Sequence, residues 1–285
     1  MKKYKLAVYI GRFQPFHNGH LAVVNQAKEI ADRVLILVGS ANASISTKNP
    51  FTYDERRAMI EESVGVSLGT TVEDLDDYIY EENQWLADVQ AAVGDMDNVC
   101  IIGHSKDDSS YYLRHFPQWD FIDVDYHDVI DATHIRDLMF SNKLRFIEGA
   151  VPLRVMNEII RFSSTDRFLD LRDDFEENKQ YKALWAGSPY PPTFNTVDAV
   201  VIQSGHILLV QRKFSPGKGL WALPGGFLDA TETQLDAVIR EVLEETRIKV
   251  PEPVLRGSYK KQRTYAAVSR IARVRTDTKE YLIQV

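Results

Sequence analysis

The chain has 285 residues, 44% hydrophobic and 26% charged, with a formal net charge of -7 and a pI near 5.6. This is an ordinary globular composition, long enough for one large or two average domains. The acidic balance speaks against a general nucleic-acid or membrane-surface binder and leaves room for a local basic site that takes a small anion. The single cysteine, Cys100 in "NVCIIG", excludes an intramolecular disulfide and reads as a small core residue. No run approaches the roughly 20 apolar residues of a membrane span. The opening "MKKYKLAVYIGRF" is too short in its apolar part, and lacks a cleavage site, for a signal peptide, so a cytoplasmic protein is expected.

Short apolar runs alternate with amphipathic stretches from the start. "KLAVYIG" predicts a strand, residues 18–31 a helix and "RVLILVGS" a second strand. A helix over 53–63, a strand near 70–75, a helix near 82–93, the strand "NVCIIGH" and a helix near 133–140 follow. Strands alternating with helices imply a parallel sheet covered on both faces, a doubly wound, Rossmann-like α/β unit. Residues 151–185 read as helical and highly charged. The three prolines and one glycine of "GSPYPPTF", residues 187–194, mark a boundary. Beyond it "TVDAVVIQSGHILLVQRK" predicts a hairpin turning at "QSGH", then a Gly/Pro-rich loop and a helix over 232–246.

The stretch after the first strand, "GRFQPFHNGH", residues 11–20, lies where open α/β sheets bind ligands, and the next helix points its N-terminus into the same crevice. Gly11 and Gly19 allow close backbone approach, and Arg12 adds a cation able to grip phosphate bidentately. His17 and His20, three residues apart, place imidazoles to donate to developing negative charge. Together these describe a polyphosphate site. A bare HxGH is compatible with chance at a helix start; the ten-residue string in this context carries far more weight.

That string resembles the HxGH nucleotidyltransferase superfamily, and more narrowly the archaeal-type nicotinamide mononucleotide adenylyltransferases. The resemblance implies transfer of the adenylyl group of ATP to nicotinamide mononucleotide, giving NAD and pyrophosphate. It also implies roles for further residues. Phe13 belongs to the signature string itself. "NPFTYDERRAMI" brings Arg56 and Arg57, which either contact phosphate or are solvated helix arginines. "ENQWLADV" brings Asn83 and Trp85; a tryptophan offers a flat face to a nicotinamide ring, whereas on its own Trp85 reads as core. Gly103 and Lys106 leave the strand "NVCIIGH" where a nucleotide can lie. The second signature of the family, Ser-Ser-Thr-x-x-Arg, stands here as "DATHIR": Thr133 and Arg136 match, Asp131 and Ala132 replace serines. Thr133 is expected to cap the helix and Arg136 to neutralise the β- and γ-phosphates. Attack on the α-phosphorus is in line, with magnesium accompanying ATP and no side-chain nucleophile.

The later "LPGGFLDATETQLDAVIREVLEETRI", residues 223–248, leads a glycine pair into a helix carrying Glu241, Glu244 and Glu245 on one face. Clustered carboxylates ask for a cation, and oxygen-only ligands point to Mg2+ or Mn2+. The spacing from Gly226 through Glu232 and Arg240 to Glu245 resembles the Nudix box, whose members hydrolyse nucleoside diphosphate derivatives with a metal-activated water. The resemblance makes Glu241, Glu244 and Glu245 metal ligands, the last two also catalytic, with Glu232 and Arg240 supporting them and Gly225 and Gly226 shaping the loop. Arg247 stands where the box has glycine, which predicts altered helix capping. The chain after the linker is short for a Nudix domain. Its basic end either binds an anionic substrate or is a shortened tail lacking strands and the closing helix.

The expected organisation is therefore an adenylyltransferase domain over 1–186 with a helical extension from 151, a linker over 187–194, and an α/β/α Nudix domain over 195–285. The pairing resembles a bifunctional family of bacteria and phages whose usual Nudix substrate is ADP-ribose. Small-molecule nucleotides are the expected partners, with no nucleic acid or membrane, and a homo-oligomer stays open. Two alternatives remain: a second domain that only binds a nucleotide, and a nucleotidyltransferase that uses another nucleotide, such as a cytidine nucleotide.

Overall fold

The structure, a computed structural model, describes every residue except 1, 66–68, 105–114, 125–130, 215–216 and 268–273. Two compact units divide it, Met1–Arg172 and Asp173–Val285. None of the described helices is long and apolar enough to cross a membrane.

The first unit runs β1 (Tyr4–Gly11), α1 (Asn18–Ile30), β2 (Ala31–Val38), α2 (Tyr53–Val64), β3 (Thr70–Asp74), α3 (Glu82–Val93), β4 (Val99–Gly103), β5 (Asp120–Asp123), α4 (Ala132–Phe140) and α5 (Leu153–Phe162). Its sheet has the order β3-β2-β1-β4-β5 with every pair parallel. The strands step outward from β1 to β3, then resume on the other side of β1. That reversal opens a crevice at the carboxyl ends of β1 and β4. Leu6 through Ile10 are all buried, as expected for a strand covered on both faces. One core layer takes alternate residues of β1 (Leu6, Val8, Ile10) with Leu35 and Leu37 of β2, Ile101 of β4, Val89 and Val93 of α3, and Phe116.

Most predicted elements are present with shifts of a residue or two. The strand β5 was not anticipated: "DFID" is four residues long and mixes acidic with apolar side chains at the sheet edge. The helical stretch over 151–185 is two helices, α5 and α6 (Asp166–Leu184), because Thr165 turns its hydroxyl to the Phe168 N–H at 3.2 Å and caps the second. The division between the two units falls inside α6.

The second unit continues with β6 (Thr193–Gln203), β7 (His206–Ile207), β8 (Val210–Gln211), β9 (Trp221–Ala222), β10 (Gly225–Phe227), α7 (Gln234–Glu245), α8 (Glu252–Gly257), β11 (Tyr259–Tyr265) and β12 (Arg275–Gln284). The main sheet has the order β10-β6-β12-β11, with β7 folded back onto β6 and a separate β8-β9 pair. Ser204 and Gly205 both have positive φ, 49° and 78°, the backbone a two-residue hairpin requires, and Gln203 faces His206 across the turn.

The C-terminal segment builds the centre of this sheet. β12 lies parallel to β6 from Arg275 opposite Thr193 to Gln284 opposite Ile202, and antiparallel to β11 on its other side. Tyr281 and Ile283 join Val197, Ala199 and Val201 under α7, whose Ala237, Val238 and Val242 complete the core with Leu255 of α8. On the opposite face Thr196 and Thr278 share a hydrogen bond of 2.7 Å. The end of α6 also belongs to this unit. Asp174 is buried and accepts the Gly217 N–H at 3.1 Å, and the rings of Trp185 and Tyr181 lie 5.3 and 6.4 Å from Phe194.

Ile283 is fully buried, so Ile283→Ala is expected to lower the stability of the second unit by about 2–5 kcal/mol. Hydrogen exchange at α7 and β6 amides checks this: their protection falls while that of β1 and β2 is unchanged.

Candidate active sites

Two histidines build the mouth of α1. His17 is its N-cap, and its Nδ1 accepts the Gly19 N–H at 3.1 Å. Three residues on, His20 Nδ1 accepts the His17 N–H at 3.2 Å. This is a capping box made of imidazoles instead of hydroxyl and carboxylate. Acceptance at Nδ1 puts the proton of each neutral ring on Nε2. The rings stack with centroids 3.6 Å apart. Burial, and then the neighbouring His17, hold His20 well below the usual histidine value, so it is neutral at pH 7.

The cations of this crevice fall into two kinds. Arg12 is exposed at the end of β1. Arg56, 1% exposed, is enclosed: it donates from Nη1 to the carbonyls of Arg12 (2.7 Å) and Gly39 (2.6 Å), from Nη2 to Ser40 (3.1 Å), and from Nε to Thr52 (3.2 Å). Burial pushes its pKa down to about 10. The expectation that Arg56 either grips phosphate or is solvated is thus corrected, because four of its five N–H donors tie the loop after β1 to the loop after β2 and the start of α2. Arg57 is exposed and pairs with Glu61 at 2.8 Å.

Arg136 comes across from α4. Its Nη1 reaches the Gln14 carbonyl at 2.7 Å and the Ala132 carbonyl at 3.1 Å, and its Nη2 the Thr133 hydroxyl at 3.3 Å. Burial, then Arg12, lower it to about 10. Gln14 is itself clasped to Phe51, donating to its carbonyl at 2.8 Å and accepting its N–H at 3.1 Å. The loop that carries the histidines is therefore held from two sides. Lys48, which the sequence did not single out, belongs to the same field: desolvation and the nearby Arg12 and Arg136 pull it below the usual lysine value. Its only sequence signal is a lysine just before "NPFTYDERR".

The remaining sequence-predicted residues are spread more widely. Phe13 is buried in a ring cluster with Tyr9, Phe16 and His20, so its side chain supports the loop and is not a ligand surface. Gly19 is buried in the first turn of α1, and Gly11 closes β1. Asn83 is exposed on the first turn of α3, and Trp85 is half-buried against the β-sheet core with its ring 6.2 Å from that of Phe116. Gly103 ends β4 and accepts the Val124 N–H at 2.8 Å. Lys106 lies outside the described residues. Thr133 does not cap α4. Asp131 does, accepting the His134 N–H at 2.8 Å, because its carboxylate stands one residue before the first helical turn.

In the second unit Arg240 is the centre of the acidic cluster. It contacts both oxygens of Glu232 (2.8 and 3.0 Å), Glu241 at 2.9 Å, Glu244 at 3.1 Å and the Phe227 carbonyl at 3.3 Å. The bidentate pair lowers Glu232 below the usual carboxylate range and raises Arg240. Glu245 accepts the Gly225 N–H at 2.9 Å. The glycine pair is steric: a Cβ on Gly226 would sit 2.4 Å from Glu241 Oε1, and one on Gly225 2.2 Å from the Val197 carbonyl. Glu241 is buried, which raises its pKa, and Glu245 and Glu244 add to the rise against Arg240. Among the described residues no three acidic or histidine side chains converge closely enough to hold a metal ion. The donor set is nevertheless all oxygen and overloaded with negative charge, which suits a hard divalent cation. Arg240 stands where such a charge would be neutralised.

The fold and the two sites define a nucleotidyltransferase unit followed by a Nudix unit. Residues 8–166 match the cytidylyltransferase-like family and residues 192–282 the NUDIX domain. The chain belongs to the cytidylyltransferase-like family, in its nicotinamide mononucleotide adenylyltransferase branch, and carries a Nudix domain. It is 30% identical over 186 residues to the nicotinamide/nicotinic acid mononucleotide adenylyltransferase of Acinetobacter baylyi, covering 61% of this chain and 95% of the relative. A crystal structure of a bifunctional NMN adenylyltransferase/ADP ribose pyrophosphatase from Francisella tularensis superposes with a TM-score of 0.89 at 37% identity, over 99% of this chain and 85% of that one. A second structure described by the same name and organism, complexed with AMP and a Mn ion, gives 0.88 at 36% identity over the same shares.

Two outcomes follow from this geometry. Arg56→Lys keeps a charge but cannot span four carbonyls, and is expected to lower kcat/KM of adenylyl transfer about 10- to 100-fold with the unit still folded, as steady-state kinetics and circular dichroism will show. His20 has a folded pKa below its unfolded value, so below about pH 6.5 the unfolded chain binds the extra proton and stability falls. Between pH 7 and 5.5 the first unit is expected to lose stability in denaturant titrations, and His20→Asn to lose less over the same interval.

Proposed function

We propose that the first unit transfers the adenylyl group of ATP to nicotinamide mononucleotide, releasing pyrophosphate and forming NAD, and that the second hydrolyses ADP-ribose to AMP and ribose 5-phosphate. The observation that carries the first activity is the imidazole pair at the mouth of α1, with His20 held neutral, set among Arg12, Lys48 and Arg136. Two anions must meet for the mononucleotide phosphate to attack the α-phosphorus, and the cations offset their repulsion. The attacking oxygen forms a bond to phosphorus as the bond to the pyrophosphate oxygen breaks. Charge grows on the bridging and non-bridging oxygens, and Nε2–H groups of His17 and His20 are assigned as donors to it. Arg136 and the α4 N-terminus are assigned to the outer phosphates, with the Asp131 carboxylate in place of a neutral cap. Asn83 and Trp85 are assigned to the nicotinamide end, with Gly103 and Lys106 at the adenosine.

For the second activity, the names of the similar Francisella tularensis structures support ADP-ribose as substrate. Glu241, Glu244 and Glu245 are assigned to hold Mg2+ or Mn2+. When bound, the cation supplies charge neutralisation of the diphosphate and an activated water. Arg240 keeps Glu232 and Glu241 oriented and Gly226 leaves Glu241 room. Closure of the cluster by Arg240 also favours a second reading, a Nudix unit that binds nucleotide without cleaving it.

Incubation with ATP, nicotinamide mononucleotide and Mg2+ is expected to yield NAD and pyrophosphate; absence of NAD overturns the first assignment. ADP-ribose is expected to give AMP and ribose 5-phosphate, and binding without cleavage selects the second reading. Glu245→Gln should abolish hydrolysis and spare NAD synthesis, and His20→Ala the reverse. Loss of both activities in each folded variant refutes two separate sites.

A further inference from the structure

We infer that Asp77 is a positioning residue of the first site: it clamps Ser40 in a left-handed turn and so fixes the loop after β2 against the buried guanidinium of Arg56. This inference rests on the adenylyl-transfer reading above and extends it to a residue outside the two signature stretches.

Ser40 has a φ of 53°, in the left-handed region, and is 3% exposed. A residue with a Cβ avoids that region and stays there only where its surroundings over-determine it. The strain has a definite place. Gly39 and Ser40 follow β2 directly, at the carboxyl edge of the parallel sheet, where the site opens. The Gly39 N–H is tied to the Gly11 carbonyl of β1 at 2.9 Å. The Gly39 and Ser40 carbonyls both meet Arg56, at 2.6 and 3.1 Å. Successive carbonyls of an extended chain point to opposite sides, so one guanidinium takes both only because the backbone turns at Ser40. From Arg56 the contacts continue to the Arg12 carbonyl at 2.7 Å, at the head of the histidine loop.

Asp77 supplies the restraint. Its Oδ1 accepts the Ser40 N–H at 3.2 Å and its Oδ2 accepts the Ser40 hydroxyl, so one carboxylate grips the backbone and the side chain of the same residue. Asp77 is seated in turn by Asn42, whose Oδ1 accepts the Asp77 N–H at 3.0 Å and whose Nδ2 donates to the Asp77 carbonyl at 3.2 Å. The backbone stitches the same two loops together. The Leu75 N–H donates to the Val38 carbonyl and the Ala41 N–H to the Leu75 carbonyl, both at 3.1 Å. The charge of Asp77 also acts through space on Arg56 and Lys48, so the test must separate a clamp from a charge.

Glycine adopts positive φ without a restraint, and this makes the separation. NAD formation by the full chain is measured in steady state with ATP, nicotinamide mononucleotide and Mg2+. Asp77→Ala is expected to lower kcat/KM about 10- to 100-fold, as a displaced site loop would. The double variant Ser40→Gly with Asp77→Ala should recover to within about fivefold of Ser40→Gly alone, whereas Ser40→Ala with Asp77→Ala should recover nothing. Circular dichroism and urea unfolding check that each variant is folded. Where Asp77→Ala is not, Asp77→Asn takes its place in the same comparison. No loss in Asp77→Ala, no recovery with glycine, or equal recovery with alanine overturns the clamp. If the unsubstituted protein forms no NAD, the adenylyl-transfer reading fails instead, and amide exchange decides the clamp alone. Protection of the Ala41 amide that falls in Asp77→Ala and returns with Ser40→Gly supports it; protection that does not fall, or does not return, overturns it.

Discussion

A guanidinium withdrawn from water, with carbonyl oxygens and no carboxylate on its hydrogen bonds, holds the first site together. Arg56 gathers Arg12, Gly39, Ser40 and Thr52 from three separate segments. Burying an ion without adequate compensation costs several kcal/mol, and an acidic partner is the usual remedy. Here carbonyl dipoles do most of that work, and burial pushes the pKa down to about 10 against the opposing pull of Asp77. The choice has an electrostatic consequence. A hydrogen-bonded carboxylate would cancel the charge, whereas carbonyls, with Asp77 acting on it only through space, cancel less of it. Arg136 repeats the device with the carbonyls of Gln14 and Ala132. A site that must bring two phosphate esters together gains from cations that are structural and not hydrogen-bonded to carboxylates.

The second site solves the opposite problem with the same side chain. Its glutamates accumulate negative charge at the end of α7, and Arg240 meets three of them at once. Planar and forked, the guanidinium serves Glu232 bidentately while its other nitrogen spans Glu241 and Glu244. Lysine, a point charge, could not fix all three orientations. Orientation matters because Glu241 is pressed against Gly226, with no room for any side chain on that residue. Glycine pair, arginine and glutamates are thus one steric and electrostatic unit, although about twenty residues of sequence separate its ends.

Features governed by short-range rules were legible in the sequence. The alternating order of elements implied the parallel sheet, "QSGH" implied a turn that Ser204 and Gly205 make with positive φ, and the spacing from Gly226 to Glu245 placed a cluster on one helix. The histidine pair was also readable, although not its capping geometry. What escaped depended on long-range partners. Nothing local separates Arg56 from Arg57, yet one is enclosed by backbone carbonyls and the other pairs with Glu61 in solvent. Asp131 and Thr133 are both capping residue types, and only the helix start decides between them. Lys48 gains meaning solely from Arg12 and Arg136, which are remote in sequence. The strand "DFID" carries too few residues to show a period.

The C-terminal unit shows how a chain that looks short for its fold can still complete it. A sheet with one apolar face covered by α7 needs a layer on its second face as well. The sequence placed residues 173–186 with the first domain, because a charged helix continuing from α5 offers no reason to divide it. In the structure the buried Asp174 and Asn178, with the Tyr181 and Trp185 rings on Phe194, put the end of α6 in the second unit. The strands, in turn, come from the tail whose basic composition masked buried positions on both faces of β12, Thr276 and Thr278 on one and Tyr281 and Ile283 on the other. Lysines and arginines at the exposed positions of β11 and β12 lower the mean hydropathy of the segment without disturbing either buried pair. Helix from upstream and strand from the far end therefore close one sheet, and the Nudix box between them receives a fixed floor for its glutamates.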